Sequence, residues 1–167
     1  MSEHPNVERV RAAASTLGLD VEIRHFPSTT RTAVDAAREI GCALGQIIKS
    51  LVFLGDEPCL VLVSGVDRVD EAKLRAFLGT AIVRRASAEE ARAATGYPIG
   101  GVSPFGHARP LRVLVDRGLL AHEELWAGAG TGEAVIRIAS RELLRASGGS
   151  LVDVATNGAP GGRVPLT

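Results

Sequence analysis

Lys49 is the residue of this sequence whose position most needs a chemical explanation. It lies inside the apolar run at residues 47–54, and a run of this kind is typical of a strand that is covered on both faces. An ammonium group without a partner would be costly there. We therefore expect the head of the Lys49 side chain to reach a polar cavity, where it can meet a ligand.

The loop at residues 100–106 is the second candidate for chemistry. Its sequence, GGVSPFG, contains three glycines and a proline, which give a rigid backbone surface that a small ligand can approach closely. Gly100 and Gly101 would bring backbone amides near a ligand, and Pro104 would fix the loop. Ser103 offers a hydroxyl, although the capping of a turn is a more usual role for such a serine. An ammonium and backbone N–H groups together can stabilise an oxygen that becomes negative in a transition state.

The composition indicates one ordinary globular domain. The chain has 167 residues, of which 46% are hydrophobic and 23% are charged, and this is enough for one well-buried core and short for two. Cys42 and Cys59 are too few for a disulfide framework and match no metal signature. The first residues lack the basic region and apolar stretch that are typical of a signal peptide, and no later apolar run reaches the roughly 18 residues that a membrane span needs. We expect a cytoplasmic protein without metal, cofactor or membrane association.

The charge balance argues against strong nonspecific binding to nucleic acid. Nineteen basic residues balance nineteen acidic ones, so any contact with phosphates must be local. The candidate patches are Arg84 with Arg85, Arg109 with Arg112, and the region 31–38. For each patch taken alone, an ordinary solvated surface is the favoured interpretation.

Helical and extended patterns alternate along the chain and predict a mixed α and β domain. Helices are predicted at residues 5–17, 32–41, 70–78 and 87–96 and after Ser140, from terminal glycines and from capping residues. The predicted capping residues are Thr32 with Asp35, Asp70, Ser87 with Glu90, and Ser140. Strands are predicted at 21–26, 49–54, 59–64, 82–84, 111–115, 134–138 and 151–154. The turn at 55–58 predicts that the second and third of these strands form a hairpin, which places Lys49 at the beginning of a strand. Residues 156–167, rich in Gly and Pro, are predicted to be a flexible tail.

Several segments, in this order, resemble the YbaK family of aminoacyl-tRNA deacylases. They are the threonine-rich stretch at 28–33, QIIKSLVF at 46–53, SGVDRVDEAKLRAFLG at 64–79 and TGYPIGGVSPFGH at 95–107. The resemblance covers roughly residues 5–155 and extends to the editing domain of bacterial prolyl-tRNA synthetase. It implies an α+β fold, a single domain at 1–155 with a mixed, largely antiparallel curved β-sheet surrounded by helices.

The resemblance also implies an activity, the hydrolysis of the ester that joins a wrongly attached amino acid to the 3′ end of a tRNA. In the family, the lysine at the position of Lys49 is functionally important and the loop that matches Gly100–Pro104 helps to form the aminoacyl pocket. Lys49, Gly100 and Gly101 are therefore the candidate catalytic residues, with Lys49 as a positioning charge on either the ester or the terminal nucleotide. No metal is expected.

The remaining candidates would bind the substrate. Thr30 and Thr32 would line a pocket beneath Phe26, unless one of them only caps a helix. A second glycine-rich loop, at 128–133, resembles a further pocket segment of the family, but Gly132 and Glu133 stand where relatives often have histidine. The substrate-binding candidates are Phe26, Thr30, Thr32, Ser50, Val102, Ser103, Pro104, Gly130, Thr131 and Gly132. His25 and His107 lie beside these segments, although a lone histidine is more often structural.

The favoured function is a stand-alone editing deacylase acting in trans, on tRNA-Pro or a related tRNA that carries a small amino acid. Because the net charge is zero, a synthetase or an elongation factor would help it to find its tRNA. One alternative is a non-catalytic module that binds a nucleotide or an aminoacyl-adenosine. Another is an interaction protein whose glycine loops are only architecture. Neither glycine loop has the context of a nucleotide-phosphate motif, and Ser103 is not in a GxSxG elbow.

Overall fold

The computed structural model describes residues 3–27, 30 and 32–157 and shows a mixed α and β architecture. The helices are α1 (Pro5–Thr16), α2 (Ala33–Ile40), α3 (Glu71–Leu78), α4 (Ala88–Thr95) and α5 (Ser140–Ser147). The strands are β1 (Glu22–His25), β2 (Ile48–Leu54), β3 (Pro58–Ser64), β4 (Asp67–Val69), β5 (Arg84–Arg85), β6 (Arg112–Asp116), β7 (Glu124–Gly128), β8 (Ala134–Ala139), β9 (Ser150–Val152) and β10 (Ala155–Asn157).

The strands form a large mixed sheet and two smaller antiparallel units. The large sheet has the order β5-β2-β3-β6-β9, in which β3, β6 and β9 run parallel and the other pairs antiparallel. A second sheet has the order β1-β8-β7, and β4 pairs with β10. A bridge between Ile47 and Trp126 brings the start of β2 against β7. The predicted fold class, α+β with a mixed and largely antiparallel sheet, is confirmed.

Local capping chemistry explains where the helices begin and end. Thr32 and Asp35 form a capping box at α2, and Ser87 and Glu90 form one at α4. The side chain of Asp70 accepts two backbone N–H groups at the start of α3. These predictions are confirmed, as is the β2–β3 hairpin. The prediction that Ser140 caps a helix was wrong, because α5 begins at Ser140 itself. The N–H of Ser140 donates to the Glu123 carbonyl.

Some strands lack a signal in the sequence. β7 has only five residues and ends in the glycine-rich segment, and β4 and β10 have three residues each, so their pairing rather than their composition defines them. The predicted last strand at 151–154 is interrupted, because β9 ends at Val152 and β10 starts at Ala155. Of the predicted tail, residues 156 and 157 belong to β10, and 158–167 lie outside the described residues.

The strand β2 is covered on both faces, as the apolar run predicts. Ile48 and Val52 lie in the larger core cluster with residues of β3, α1, β6 and β8. Leu51 and Phe53 lie in a second cluster on the opposite face, with Leu74 of α3. A side chain on β2 therefore belongs to one of two separate environments, according to the parity of its position.

Candidate functional site

The candidate site is a narrow pocket where the start of β2, the β7–β8 hairpin and the loop at 100–106 meet. The space open to the centre of a water molecule is about 20 Å³, which is room for little more than one water-sized group. Its wall is mostly apolar. The residues that line it are Phe26, Ile47, Ile48, Ser50, Gly100, Val102, Trp126, Ala127, Gly128, Gly132, Ala134 and Val135.

Ser50 supplies the polar group of this wall. Its Oγ is buried and has no hydrogen-bond partner, and no other side-chain polar atom among the described residues shares this condition. A buried hydroxyl without a partner costs free energy that a ligand bearing a donor or acceptor would recover. The pocket is therefore prepared for a small group that can hydrogen-bond to Ser50.

The two glycine-rich loops contact each other at Gly101. A Cβ atom on Gly101 would lie 2.6 Å from backbone atoms of Thr131, so only glycine permits this approach. The N–H of Gly130 donates to the Gly101 carbonyl at 2.8 Å, and the N–H of Gly101 donates to the Pro98 carbonyl at 2.9 Å. The amide of Gly101 is therefore used to build the loop. Gly100, with φ +87°, lies on the pocket side.

Ser103 and His107 stabilise the inner side of the loop. Ser103 is fully buried, its Oγ accepts the N–H of Phe105 at 3.4 Å, and its carbonyl lies 2.8 Å from Nε2 of His107. Burial lowers the pKa of His107, which favours a neutral ring that donates from Nε2. This geometry corresponds to the alternative in which Ser103 caps a turn, and His107 hydrogen-bonds to the same turn.

Helix α1 secures both loops from outside. Arg9 donates to the carbonyls of Gly106 at 3.0 Å and of Thr95 at 3.2 Å, and its guanidinium lies 4.5 Å from the centre of the Tyr97 ring. One turn earlier, the side-chain amide of Asn6 donates to the Gly130 carbonyl at 3.0 Å. The loops are thus connected to each other and to one helix.

Lys49 lies on the opposite face of β2 from Ser50. Its cross-strand neighbour is Val63, in the second core cluster, whereas Ser50 is opposite Leu62 in the larger one. Lys49 is buried, and its Nζ donates to the main-chain carbonyl of Asp67 in β4. Burial lowers the pKa of Lys49 to about 8, against the opposing effect of the Asp67 carboxylate.

The other predicted site residues lie near the pocket or in its supports. Thr30 is buried, with its N–H donated to Pro27, and Thr32 caps α2. Thr131 Oγ1 accepts the N–H of Glu133, and Gly130 packs against Asn6 with φ +100°. Of the predicted residues, the pocket brings together Phe26, Ser50, Gly100, Val102 and Gly132. The pocket lining does not include Lys49, Gly101, Thr30, Thr32, Ser103, Pro104, Gly130 or Thr131.

Sequence reasoning missed the β7–β8 side of the pocket. Trp126, Ala127 and Gly128 of β7 and Val135 of β8 line it. The segment Glu124–Gly128 leads directly into the second glycine-rich loop, and its tryptophan, the one in the sequence, was the available signal. An aromatic ring next to a glycine loop is a common wall for a small-molecule pocket.

The fold and the pocket define an α+β domain that closes one narrow pocket with two interlocked glycine loops. The sequence model of the aminoacyl-tRNA editing domain matches residues 27–146, which is well over half of the chain. The protein belongs to the aminoacyl-tRNA editing domain family. This confirms the resemblance that the motifs indicated.

Individual relatives resemble the chain over different lengths. A solved structure of a protein proposed to be a trans-editing enzyme for prolyl-tRNA synthetase is 41% identical, with a TM-score of 0.88, over 93% of this chain and 99% of that one. The uncharacterized protein YwhH of Bacillus subtilis is 30% identical over 83% of this chain and 88% of its own length. The proline–tRNA ligase of Ligilactobacillus salivarius is 39% identical over 52% of this chain, and the match spans 15% of that ligase.

Proposed function

We propose that the protein is an aminoacyl-tRNA deacylase that works as a separate protein, with residues 1–155 as its editing unit. The observation that supports this most directly is the pocket itself. Distant segments of an editing-family chain converge there on a narrow cavity with one unpaired hydroxyl, that of Ser50. A cavity of this kind suits the side chain of a small amino acid held by its ester.

The proposed reaction is hydrolysis of that ester. The oxygen of a water molecule attacks the carbonyl carbon, the bond from this carbon to the ribose oxygen breaks, and a proton of the water ends on the ribose oxygen. Among the described residues, nothing accepts the N–H groups of Gly100 and Val102, so these two amides are the available donors for the carbonyl oxygen as it becomes negative. Gly101, whose N–H is occupied, supports them.

Lys49 enters the proposal as a positioning charge. It directly precedes Ser50 in β2 and is bonded to β4 on the other face of the sheet. Because β2 also provides the pocket wall, a displacement of Lys49 would move Ser50. This role requires the ammonium to be held in place, and it needs neither a nucleophile nor a base at Lys49.

The proposed substrate is a mischarged tRNA with a small amino acid. The narrow pocket favours a side chain of one or two heavy atoms, and the similarity to proline–tRNA ligases and to a protein proposed to edit for prolyl-tRNA synthetase favours tRNA-Pro. A synthetase or an elongation factor is the proposed partner in delivery, and the cytoplasm the proposed location. No helix among the described residues is long and apolar enough to cross a membrane.

A deacylation panel tests the proposed function. Wild type is offered tRNA-Pro charged with alanine, serine, cysteine or proline, and release of the amino acid is followed. We expect hydrolysis of at least one small mischarged substrate, sparing of Pro-tRNA-Pro, and a large loss in Lys49→Ala. The absence of activity on every substrate, or an unaffected Lys49→Ala, would contradict the proposal. Stable binding of an uncleaved aminoacyl-adenosine ester would favour the binding module instead.

A further inference from the structure

Lys49 is connected to the C-terminal part of the described chain through β4. Its Nζ donates to the carbonyl of Asp67, the first residue of β4, and β4 pairs with β10 in a register that places Asp67 opposite Asn157. The N–H of Asp70 also donates to the Val154 carbonyl at 2.7 Å. The strand that holds the ammonium is therefore itself held by residues 154–157.

Asp116 attaches this C-terminal segment to the main sheet. It is buried at the end of β6, and its Oδ1 accepts the N–H groups of Val154 at 2.9 Å and Ala155 at 3.2 Å. Its Oδ2 accepts the N–H of Gly118 at 2.9 Å. A carboxylate that accepts several backbone donors is a strong and directional anchor. The carboxylate of Asp67 also approaches Gly118, since a Cβ on that glycine would lie 3.3 Å from it.

We propose that the β4–β10 strand pair, anchored by Asp116, positions the Lys49 ammonium, and that Asp67 and Asp116 are positioning residues for the site. The proposal rests on the proposed function, because it gives Lys49 its place in the editing site. It also extends beyond the family match, which ends at residue 146. Val154 and the strand β10 are then part of the functional unit.

The charges around Lys49 make the arrangement measurable. Burial lowers the pKa of Lys49, the carboxylate of Asp67 in β4 raises it, and the guanidinium groups of Arg68 in β4 and Arg85 in β5 lower it. Removal of the Asp67 carboxylate should therefore move the titration of Lys49 to lower pH. A substitution that loosens β10 should change the surroundings of Lys49, although Lys49 itself is not substituted.

The sequence offers an unusually clean probe, because Lys49 and Lys73 are its two lysines. The full chain labelled with ¹³C-lysine should give two side-chain signals. Lys73 is exposed and donates to Asp153 and to the Ala155 carbonyl of β10, so its signal reports separately on the C-terminal segment. We expect Lys49 in wild type to titrate near pH 8, about two units below an ordinary lysine. Asp67→Asn should shift its midpoint downward, and Asp116→Asn should displace or split its signal.

Asp153→Asn is the matched control. It makes the same substitution in the same segment, but Asp153 is exposed and pairs with Lys73 at 3.4 Å, so the Lys73 signal should respond and the Lys49 signal should not. If Asp116→Asn fails to fold, Ala155→Pro removes one of the donors to the same carboxylate, and the comparison is repeated. A Lys49 signal that is identical in wild type and in the Asp116 or Ala155 variant would overturn the proposal.

Deacylation by the same variants separates this proposal from the proposed function. We expect Asp67→Asn and Asp116→Asn to lower kcat/KM at least tenfold and Asp153→Asn to leave it unchanged. If wild type hydrolyses no aminoacyl-tRNA, the proposed function fails while the lysine spectra still decide the positioning of Lys49. If the spectra respond as expected but deacylation by the Asp67 and Asp116 variants equals that of wild type, the positioning role in the site is wrong.

Discussion

At the scale of single residues, neighbours in sequence have different surroundings. Lys49 and Ser50 are consecutive, yet one is buried against β4 and the other faces the pocket. The apolar run predicts a strand with two covered faces, but it does not tell which face contains a cavity. The importance of position 49 is therefore suggested by sequence, whereas its partner, the carbonyl of Asp67, is set by tertiary pairing.

Lys49 should make stability depend on pH in a defined direction. Its pKa in the folded protein is about 8, below the roughly 10.4 of an unfolded chain. Below about pH 8 both states are protonated and the cost of burial is fully present, and this cost disappears as pH rises toward 10.4. Lys49 alone should therefore make the folded state more stable between pH 8 and 10.

The measurement is the difference in unfolding free energy between wild type and Lys49→Met from pH 7 to 10. The difference is needed because burial raises the pKa of Cys59 to about 11 and also raises that of Tyr97, which lowers stability at high pH in both proteins. We expect the unfolding free energy of wild type to increase relative to that of Lys49→Met as pH rises. A difference that stays constant with pH would show that Lys49 is not desolvated.

Ser50 should separate activity from stability. Because its Oγ has no partner among the described residues, Ser50→Ala removes an unsatisfied group and should leave the melting temperature equal or slightly higher. Loss of a hydrogen bond to the substrate should lower kcat/KM about tenfold, which corresponds to ~1.4 kcal/mol. Ser64→Ala is the control: Ser64 Oγ donates to Gly45 at 2.8 Å, and its loss should reduce stability. A destabilised Ser50→Ala with normal activity would contradict the assignment.

At the scale of elements, helix ends that are set by local capping were predictable from the sequence, whereas strands that are defined by their pairing were not. Capping boxes act within four residues, so Thr32 with Asp35 and Ser87 with Glu90 locate α2 and α4 from sequence. The strands β4 and β10 depend on each other across a long stretch of the chain, and β7 pairs with β8 in a hairpin, but the few residues of these strands contain no distinctive pattern. The loop at 100–106 was predictable as a site segment, but the use of the Gly101 amide was not.

The contact between the glycine loops should tolerate no side chain at Gly101. In Gly101→Ala the new Cβ would meet the Thr131 backbone at 2.6 Å, so both loops must move, at a cost of about 1–3 kcal/mol. Gly132→Ala is the stability control, since its Cβ would meet nothing within 4 Å. Chemical denaturation compares the two variants. Equal stability of both would show that the loops do not interlock.

At the scale of the whole molecule, the charges are balanced, with nineteen basic and nineteen acidic residues. Arg84 forms a two-point ion pair with Glu90, and Arg112 lies over the ring of Phe77. One arginine in each of these two predicted basic patches therefore has an internal partner, and part of the third patch, at Arg31, lies outside the described residues. A chain without net charge has no overall attraction for phosphates.

The salt dependence of deacylation should accordingly be shallow. With about two phosphate contacts to a single-stranded 3′ end, an increase from 50 to 200 mM salt should lower kcat/KM about sevenfold, against 10³-fold or more for a protein with six or more contacts. The measurement is kcat/KM of the isolated protein at several salt concentrations. A steep slope would show that a basic surface binds the tRNA without help.

The attachment of α1 to both glycine loops has a dynamic consequence. Arg9 and Asn6 hold the carbonyls of Gly106 and Gly130, so a fluctuation that releases α1 also releases the pocket wall. Amide hydrogen exchange should therefore show α1 and the two loops opening as one cooperative unit, with similar protection. In Arg9→Ala the loop amides should exchange faster while those of α3, in the other core cluster, remain unchanged. The integrity of the pocket is thereby tied to a helix that begins 22 residues before the family match and contributes no atom to the cavity wall.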